Sequence, residues 1–223
     1  MVLLSETRLK SYNQSCALAK CLDLVGDRWT LLIVRELLIR EACRYTDIRT
    51  ALPGIASNLL ADRLKQLENH GIIFHEEAPP PIATTLYQLT ERGRSLESAI
   101  LELGRWGSPL LSAPSKKDRL QAHWLVLPLK LYLRDLNPAE PSIAINVEVG
   151  SETIAIEASH GHVAVRLGIA RCPDAVVKGK PGTVLRLLTG RISLAAAQAE
   201  GVHWKGSLAA IGRVVSPFAT GTA

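Results

Sequence analysis

The chain has 223 residues, with 26 Lys and Arg against 21 Asp and Glu, for a net charge of +5. This length suits one large domain or two small ones. The longest stretch without a charged residue, 78–90, is shorter than a membrane-spanning helix requires. The N-terminal residues do not have the pattern of a secretory leader either, so we expect a cytoplasmic protein without a membrane partner.

The cysteines and histidines do not have the spacing of a metal site or a catalytic centre. No CxxC pair is present, which argues against structural zinc and against a disulfide framework. No Gly-rich phosphate loop follows a predicted strand, and no histidine has an evident nucleophile as its partner. We therefore expect a protein that is not an enzyme and carries neither metal nor cofactor. The residues concerned are Cys16, Cys21, Cys43, Cys172, His123, His160, His162 and His203.

The positive charge is concentrated in the second half of the chain. Residues 1–112 contain 13 basic and 13 acidic residues, whereas residues 113–223 contain 13 basic and 8 acidic residues. The net charge of the first half is therefore zero. Nucleic-acid binding by that half would depend on a local basic face and not on overall charge.

The first two predicted helices lie before residue 41. Cys16 begins the first, where the helix dipole would lower the pKa of its thiol. The second follows Asp27 and is apolar nearly all round from Trp29 to Val34, so it should form the centre of an N-terminal core. Cys21 and Cys43 are expected to be buried within this core.

Residues 48–69 predict a helix-turn-helix. A short helix ends at Pro53-Gly54, and a second helix carries Leu60, Leu64 and Leu67 at a spacing that faces a core. On the opposite side are Asn58, Asp62, Lys65 and Asn69, whose polar groups could reach base edges and phosphates. Four basic residues lie in or beside the motif and could contact phosphates: Arg44, Arg49, Arg63 and Lys65.

A hairpin is predicted directly after the second helix of this motif. The β-prone runs Ile72–His75 and Thr85–Leu89 flank a turn that contains three consecutive prolines. Such a hairpin is either the wing of a winged helix or an ordinary edge hairpin. Thr90 then caps a helix predicted to run to about Trp106, with Leu96, Ile100 and Leu103 on one stripe.

Taken in order, these segments resemble the HxlR family of bacterial winged-helix transcription regulators. The resemblance covers residues 14–107 and rests on GDRWTLLI followed by REL, and on LPGIASNLLADRLKQLENHG. It implies a homodimer, formed through the first helix and the helix ending near Trp106, on a pseudo-palindromic operator in double-stranded DNA. It also implies that the second helix of the motif recognises the base sequence of the operator.

Within this resemblance, the residues expected to contact DNA are Arg44, Arg49, Ser57, Asn58, Asp62, Arg63 and Lys65. Cys16 matches a cysteine that serves some of these regulators as a redox or electrophile sensor, although a packing role is the alternative. Two departures from the family pattern are evident. Ala56 occupies the usual Ser cap position, so the cap should come from Ser57 or from water, and the wing lacks a basic residue near its tip.

The second half of the chain begins after a linker at residues 108–119. An apolar helix is predicted over 121–134, interrupted by Pro128, followed by strands at 142–149, 153–158, 162–167 and 175–178. Helices begin at Pro181, Ser193 and Ser207, with a last strand at 202–205. This order predicts an α+β fold in which helices cover one face of a mainly antiparallel sheet.

The C-terminal pattern resembles sterol-carrier-protein-like domains over residues 120–217. The resemblance implies an α+β domain with a cavity for a lipid or another apolar ligand between sheet and helices. The expected pocket residues are Trp124, Leu127, Leu131, Leu185 and Leu188. A simple buried helix would also explain the first three of these, and a role in dimerisation alone is the alternative for the domain.

Together the two resemblances predict an α+β protein with a winged helix-turn-helix at 1–107, a linker at 108–119, a sterol-carrier-like domain at 120–217 and a tail at 218–223. The function expected is that of a transcriptional regulator modulated by an apolar effector. Two alternatives remain. The winged helix could act as a protein-interaction module of a lipid-binding or scaffold protein, or the regulator could sense redox conditions through Cys16.

Overall fold

A computed structural model describes residues 11–79, 83–112 and 118–215. The chain divides into two compact units, Met1–Ile100 and Leu101–Ala223. Among the described residues, no helix has both the length and the apolar character needed to cross a membrane.

The first unit contains helices around a small antiparallel sheet in the order β1-β3-β2. The strand β1 was not predicted, because three residues carry no periodic signal and their partners on β3 lie more than 40 residues further along the chain, as Cys43 and Tyr87 do. The elements are α1 (Ala17–Val25), α2 (Thr30–Arg40), β1 (Ala42–Arg44), α3 (Tyr45–Ala51), α4 (Ser57–Asn69), β2 (Ile73–Glu77), β3 (Thr85–Leu89) and α5 (Glu91–Arg94). Helix α6 (Glu97–Gly107) begins in the first unit and ends in the second.

The core of the first unit is built around α2, as the apolar run predicts. Ile33, Val34 and Leu37 are buried there and pack in one cluster with the apolar residues of α3, α4 and the strands. Each large aliphatic side chain in such a core stabilises the fold by about 1.5–3 kcal/mol relative to an exposed position. Leu96 and Ile100 also pack against this cluster while remaining partly exposed.

The helix predicted from Thr90 to about Trp106 is divided into two helices. Thr90 caps the first as predicted, since its side-chain oxygen accepts a hydrogen bond from the Gly93 N–H at 3.0 Å. The first helix ends at Arg94, and α6 begins at Glu97. Ser95 lies at the break and donates its hydroxyl to the carbonyl of Arg92 at 2.7 Å. A serine hydroxyl that donates to a carbonyl of the preceding turn competes with the backbone hydrogen bonds that would continue the helix.

The second unit is a five-stranded sheet in the order β6-β5-β4-β7-β8. The β4 and β7 strands are parallel and the other neighbours antiparallel. The predicted strands agree with the observed ones to within one or two residues. The elements are α7 (Val126–Tyr132), β4 (Ile143–Val149), β5 (Glu152–Ser159), β6 (His162–Leu167), β7 (Ala175–Lys178), α8 (Pro181–Leu188), α9 (Leu194–Ala199), β8 (His203–Gly206) and α10 (Leu208–Val214).

The apolar helix predicted over 121–134 is shorter and begins differently. A 3₁₀ turn spans Ala122–Leu125, and α7 follows directly from Val126. Pro128 therefore lies in the first turn of α7, where its missing N–H breaks no helical hydrogen bond. The change of helix type thus occurs before the proline.

A buried ion pair joins α10 to the segment after α7. Arg213 donates to Asp135 through Nε at 2.7 Å and through a terminal nitrogen at 3.1 Å, and both side chains are almost fully buried. Asp135 also accepts the Gly161 N–H at 3.0 Å, at the β5–β6 turn. The hydrogen bond from Arg213 and the N–H groups of Gly161 and Asn137 hold the pKa of Asp135 well below its usual value.

Candidate nucleic-acid interface

The turn between α3 and α4 is fixed by backbone and side-chain contacts. Gly54 has φ of +99°, a left-handed conformation that glycine adopts without steric cost. The Ile55 N–H donates to the Leu52 carbonyl at 3.2 Å. Across the turn, the Tyr45 hydroxyl donates to the carbonyl of Ser57 at 2.7 Å. The start of α4 is thus tied to the start of α3, a contact that no local sequence pattern predicts.

Helix α4 is held against the core by the predicted leucine stripe. Leu60, Leu64 and Leu67 are all buried, with 3% or less of each residue exposed. Their shared face fixes the rotation of the helix, so the residues opposite must point to solvent. The leucine prediction is confirmed.

The N-terminus of α4 is not capped by a side chain. Ala56 is the N-cap residue and makes no such hydrogen bond, and Ser57 is already the first helical residue. Of the two expected caps, Ser57 is ruled out, because a residue within the first turn cannot adopt the extended conformation of a cap, and a cap by water stays a prediction. The exposed N–H groups at this end therefore remain accessible to solvent or to a ligand.

The outward face of α4 carries polar side chains that are not engaged with the rest of the protein. Its four members are exposed and, among the described residues, form no side-chain hydrogen bond or ion pair. They are Asn58, Asp62, Lys65 and Asn69. These four residues form the polar face of α4. Unpaired groups on a rigid helix can form hydrogen bonds with a partner without first breaking internal ones.

The remaining charged residues of α4 are paired within the protein. Arg63 forms an ion pair with Asp27 and donates to the side chain of Gln66, and only 18% of its side chain is exposed. Glu68 lies 2.6 Å from the ring nitrogen Nδ1 of His75 on β2. Arg63 as a contact to the DNA backbone stays a prediction, but its guanidinium already has a structural role in joining α4 to the segment before α2.

Two further basic residues belong to α3, Arg44 as its N-cap residue and Arg49 in its last turn. Arg44 and Arg49 are exposed, and neither side chain forms an ion pair with another described residue. The backbone N–H of Arg44 donates to the Asp47 carboxylate at 2.9 Å, which fixes the start of α3. With Lys65, these residues provide three free positive charges on the helix-turn-helix.

The wing carries negative charge along its described strands. Glu76 accepts a hydrogen bond from Gln88, and Glu77 accepts one from the Thr85 hydroxyl at 2.6 Å. Neither strand contains Lys or Arg. Residues 80–82, at the proline-rich turn, lie outside the described residues. Carboxylates here would oppose a close approach to phosphates, so the helix is the better candidate for the principal contact.

The cysteines differ in exposure and acidity. Cys16 is the exposed N-cap residue of α1, where the N–H groups of Ala19 and Leu18 lower the pKa of its thiol. Cys43 is buried as expected, and burial raises its pKa to about 12. The expectation that Cys21 is buried is wrong, since it lies on the solvent side of α1. Exposure and a lowered pKa are two features that reactive thiols share, and a sensor role for Cys16 stays a prediction.

The residues expected to line an apolar pocket lie in the helical layer of the second unit. Leu127, Leu131 and Leu188 are buried, whereas Trp124 and Leu185 are partly exposed. Pocket and core roles are both compatible with this burial. Among the described residues, no group of three or more His, Cys, Asp or Glu could hold a metal ion.

These elements define a winged helix-turn-helix protein, with a recognition-type helix in front of a three-stranded sheet. A model of the HxlR-like helix-turn-helix family matches residues 24–114. An uncharacterized HTH-type transcriptional regulator of Bacillus subtilis (strain 168), YvaP, is 33% identical over 89 residues, which are 40% of this chain and 82% of that protein. The chain belongs to the HxlR-like helix-turn-helix family.

Further similarities fall within the same part of the chain. An uncharacterized HTH-type transcriptional regulator of Synechocystis, sll1512, is 35% identical over 103 residues, which are 45% of this chain and 73% of that protein. The solved structure of the reduced form of the transcriptional regulator YodB from Bacillus subtilis is 28% identical. It covers 46% of this chain and 100% of that one, with a TM-score of 0.40.

Proposed function

We propose that this protein is a DNA-binding transcriptional regulator that acts as a homodimer on a pseudo-palindromic operator. The observation that carries the proposal is the polar face of α4, whose side chains are exposed and unpaired while the leucines behind them are buried. A helix of this kind fits the major groove, and the free charges of Arg44, Arg49 and Lys65 can meet phosphates beside it. The names of the relatives support the same function.

An exposed apolar surface supports the homodimer. Leu103 and Trp106 on α6 are 53% and 79% exposed, and Leu110 and Leu111 after it are 74% and 66% exposed. Large apolar side chains exposed together are typical of protein interfaces. Two-fold pairing through this surface would give one recognition helix for each half-site of the operator.

Replacing Asn58 and Lys65 together with alanine should weaken operator binding. Loss of a bidentate base contact costs about 1–3 kcal/mol, and loss of one phosphate contact lowers the salt dependence by about one counterion. We therefore expect at least about tenfold weaker binding in a gel shift. The DNA used is the region upstream of the protein's own gene, or a duplex that the wild type selects from a random pool.

A matched control is Lys205→Ala, which removes an exposed lysine from β8 in the second unit. It should leave operator affinity unchanged. Unchanged affinity of the folded double variant would refute the role of the polar face. If the wild type selects no duplex at all, the alternative of a protein-interaction module is favoured, which is consistent with the acidic wing strands.

We further propose that residues 120–217 form a sterol-carrier-like domain that binds an apolar effector. In this division, residues 1–107 are the DNA-binding and dimerisation domain, and residues 108–119 are a linker. The strand order β6-β5-β4-β7-β8, with α8, α9 and α10 placed between and after its last strands, supports this likeness. The many apolar side chains between Leu125 and Leu133 support the binding of an apolar ligand. Sensing through Cys16 is the lesser alternative, supported by its lowered pKa.

Apolar compounds should stabilise the full chain if the second unit binds them. Binding at a free concentration of about 100 times the dissociation constant adds about 2.7 kcal/mol. Fatty acids of increasing length should therefore raise the melting temperature and change operator affinity, because an effector acts only by binding the free and DNA-bound forms differently. Equal melting temperatures with and without each compound, together with unchanged DNA binding after deletion of residues 116–223, would refute the effector role.

A further inference from the structure

The central residue of the polar face is acidic, which is unexpected for a surface that meets DNA. Asp62 lies one helical turn after Asn58 and three residues before Lys65, and it is exposed like both of them. It forms no ion pair with Lys65 or with any other described residue. The other acidic residue of α4, Glu68, is paired with His75. Asp62 is thus the unneutralised carboxylate of this helix.

A carboxylate in this position would oppose binding to the phosphate backbone, because it is repelled by the negative charge of every duplex. Its chemistry towards base edges is more selective. An ionised carboxylate only accepts hydrogen bonds. In the major groove, the donors are the exocyclic amino groups of cytosine and adenine, whereas guanine and thymine present acceptors to the groove at the corresponding positions.

We propose that Asp62 determines sequence specificity by accepting a hydrogen bond from the amino group of a cytosine or adenine in each half-site. The inference rests on the proposed DNA-binding function and adds the base chemistry that α4 selects. Against guanine or thymine, the carboxylate faces an acceptor and remains desolvated without a partner, which is unfavourable. Asp62 therefore lowers affinity for DNA in general while favouring one class of site.

The test compares the wild type with Asp62→Asn, whose amide has the same shape but can donate as well as accept. The DNA is a duplex that the wild type selects from a random pool, each base pair of which is then replaced in turn, together with a scrambled duplex. At one position per half-site, loss of the amino-bearing base should weaken wild-type binding about tenfold or more. For Asp62→Asn, the same replacement should cost less than about threefold, and affinity for scrambled DNA should rise.

The matched control is Glu91→Gln, which removes one exposed carboxylate from the same unit outside α4. It should keep the base preferences of the wild type. If Asp62→Asn keeps those preferences and binds scrambled DNA no better than Glu91→Gln does, the specificity role of Asp62 is refuted while DNA binding stands. If the wild type selects no duplex, the proposed function itself is refuted.

Discussion

Replacing Asp135 with asparagine should lower the melting temperature of the second unit by about 10 °C or more. The variant keeps the shape of the side chain but leaves the buried guanidinium of Arg213 without its counter-charge. Removing one member of a buried pair is strongly destabilising, and small domains respond with large shifts in melting temperature. Calorimetry of the full chain measures the effect on the transition of this unit.

The network around Asp135 explains the size of the expected effect. Its carboxylate holds Arg213 of α10, the N–H of Gly161 at the β5–β6 turn, and the N–H of Asn137 at 3.2 Å. Arg213 in turn donates to the carbonyls of Pro141 and Glu140. One substitution therefore weakens the contacts that join the segment around Asp135 to the β5–β6 turn and to α10, which are both distant from it in sequence.

The difference between wild type and Asp135→Asn should depend on pH. The pKa of Asp135 is lowered in the folded protein, so its contribution is fully present above the unfolded value of about 3.9. It is lost as the pH falls through the lower folded pKa. The gap in stability should therefore be constant between about pH 6 and 8 and should narrow below about pH 4.

The control for the buried pair of Asp135 and Arg213 is the variant Lys178→Ala. It breaks an ion pair with Glu148 on the surface of the same sheet. Lys178 is 71% exposed, and solvent screens such pairs almost completely. The melting temperature of Lys178→Ala should remain near that of the wild type. An Asp135→Asn shift as small as that of the control would show that the buried pair contributes little.

Replacing Leu60 with alanine should destabilise the first unit by about 2–5 kcal/mol. Leu60 belongs to α4 and is fully buried in the core built on α2. Its truncation therefore removes apolar contacts and leaves a cavity. Operator binding should fall with it, because the same leucines fix the rotation of α4. Urea unfolding, followed by hydrogen exchange of amides in the first unit, measures the loss.

The matched control is Asn58→Ala, two residues earlier on the same helix and exposed. It should change the free energy of unfolding by no more than about 0.5 kcal/mol. The pair of variants separates the two faces of α4, since Leu60→Ala should lose stability and operator affinity together, whereas Asn58→Ala should lose operator affinity alone. Equal stability of the two variants would contradict the assignment of the buried face.

The sequence alone predicted those features that depend on local chemistry. The leucine spacing of α4 indicated both its buried face and its polar face, because helix geometry converts spacing directly into direction. The strands of the second unit were predicted to within one or two residues, since alternating apolar residues and flanking turns define them. The side-chain cap by Thr90 was predicted for the same local reason, and the two predicted helix starts at Ser193 and Ser207 are the N-cap residues of α9 and α10.

Other features were decided only by the tertiary structure. The third strand of the wing sheet, the Tyr45 contact to Ser57 and the pairing of Arg63 with Asp27 each join residues that are separate in sequence. The exposure of Cys21 likewise depends on which side of α1 faces the core. A spacing rule describes one helix or strand at a time, whereas these contacts depend on how several elements pack. The partners of a charged side chain, and hence which charges remain free for DNA, are therefore fixed only by the complete fold.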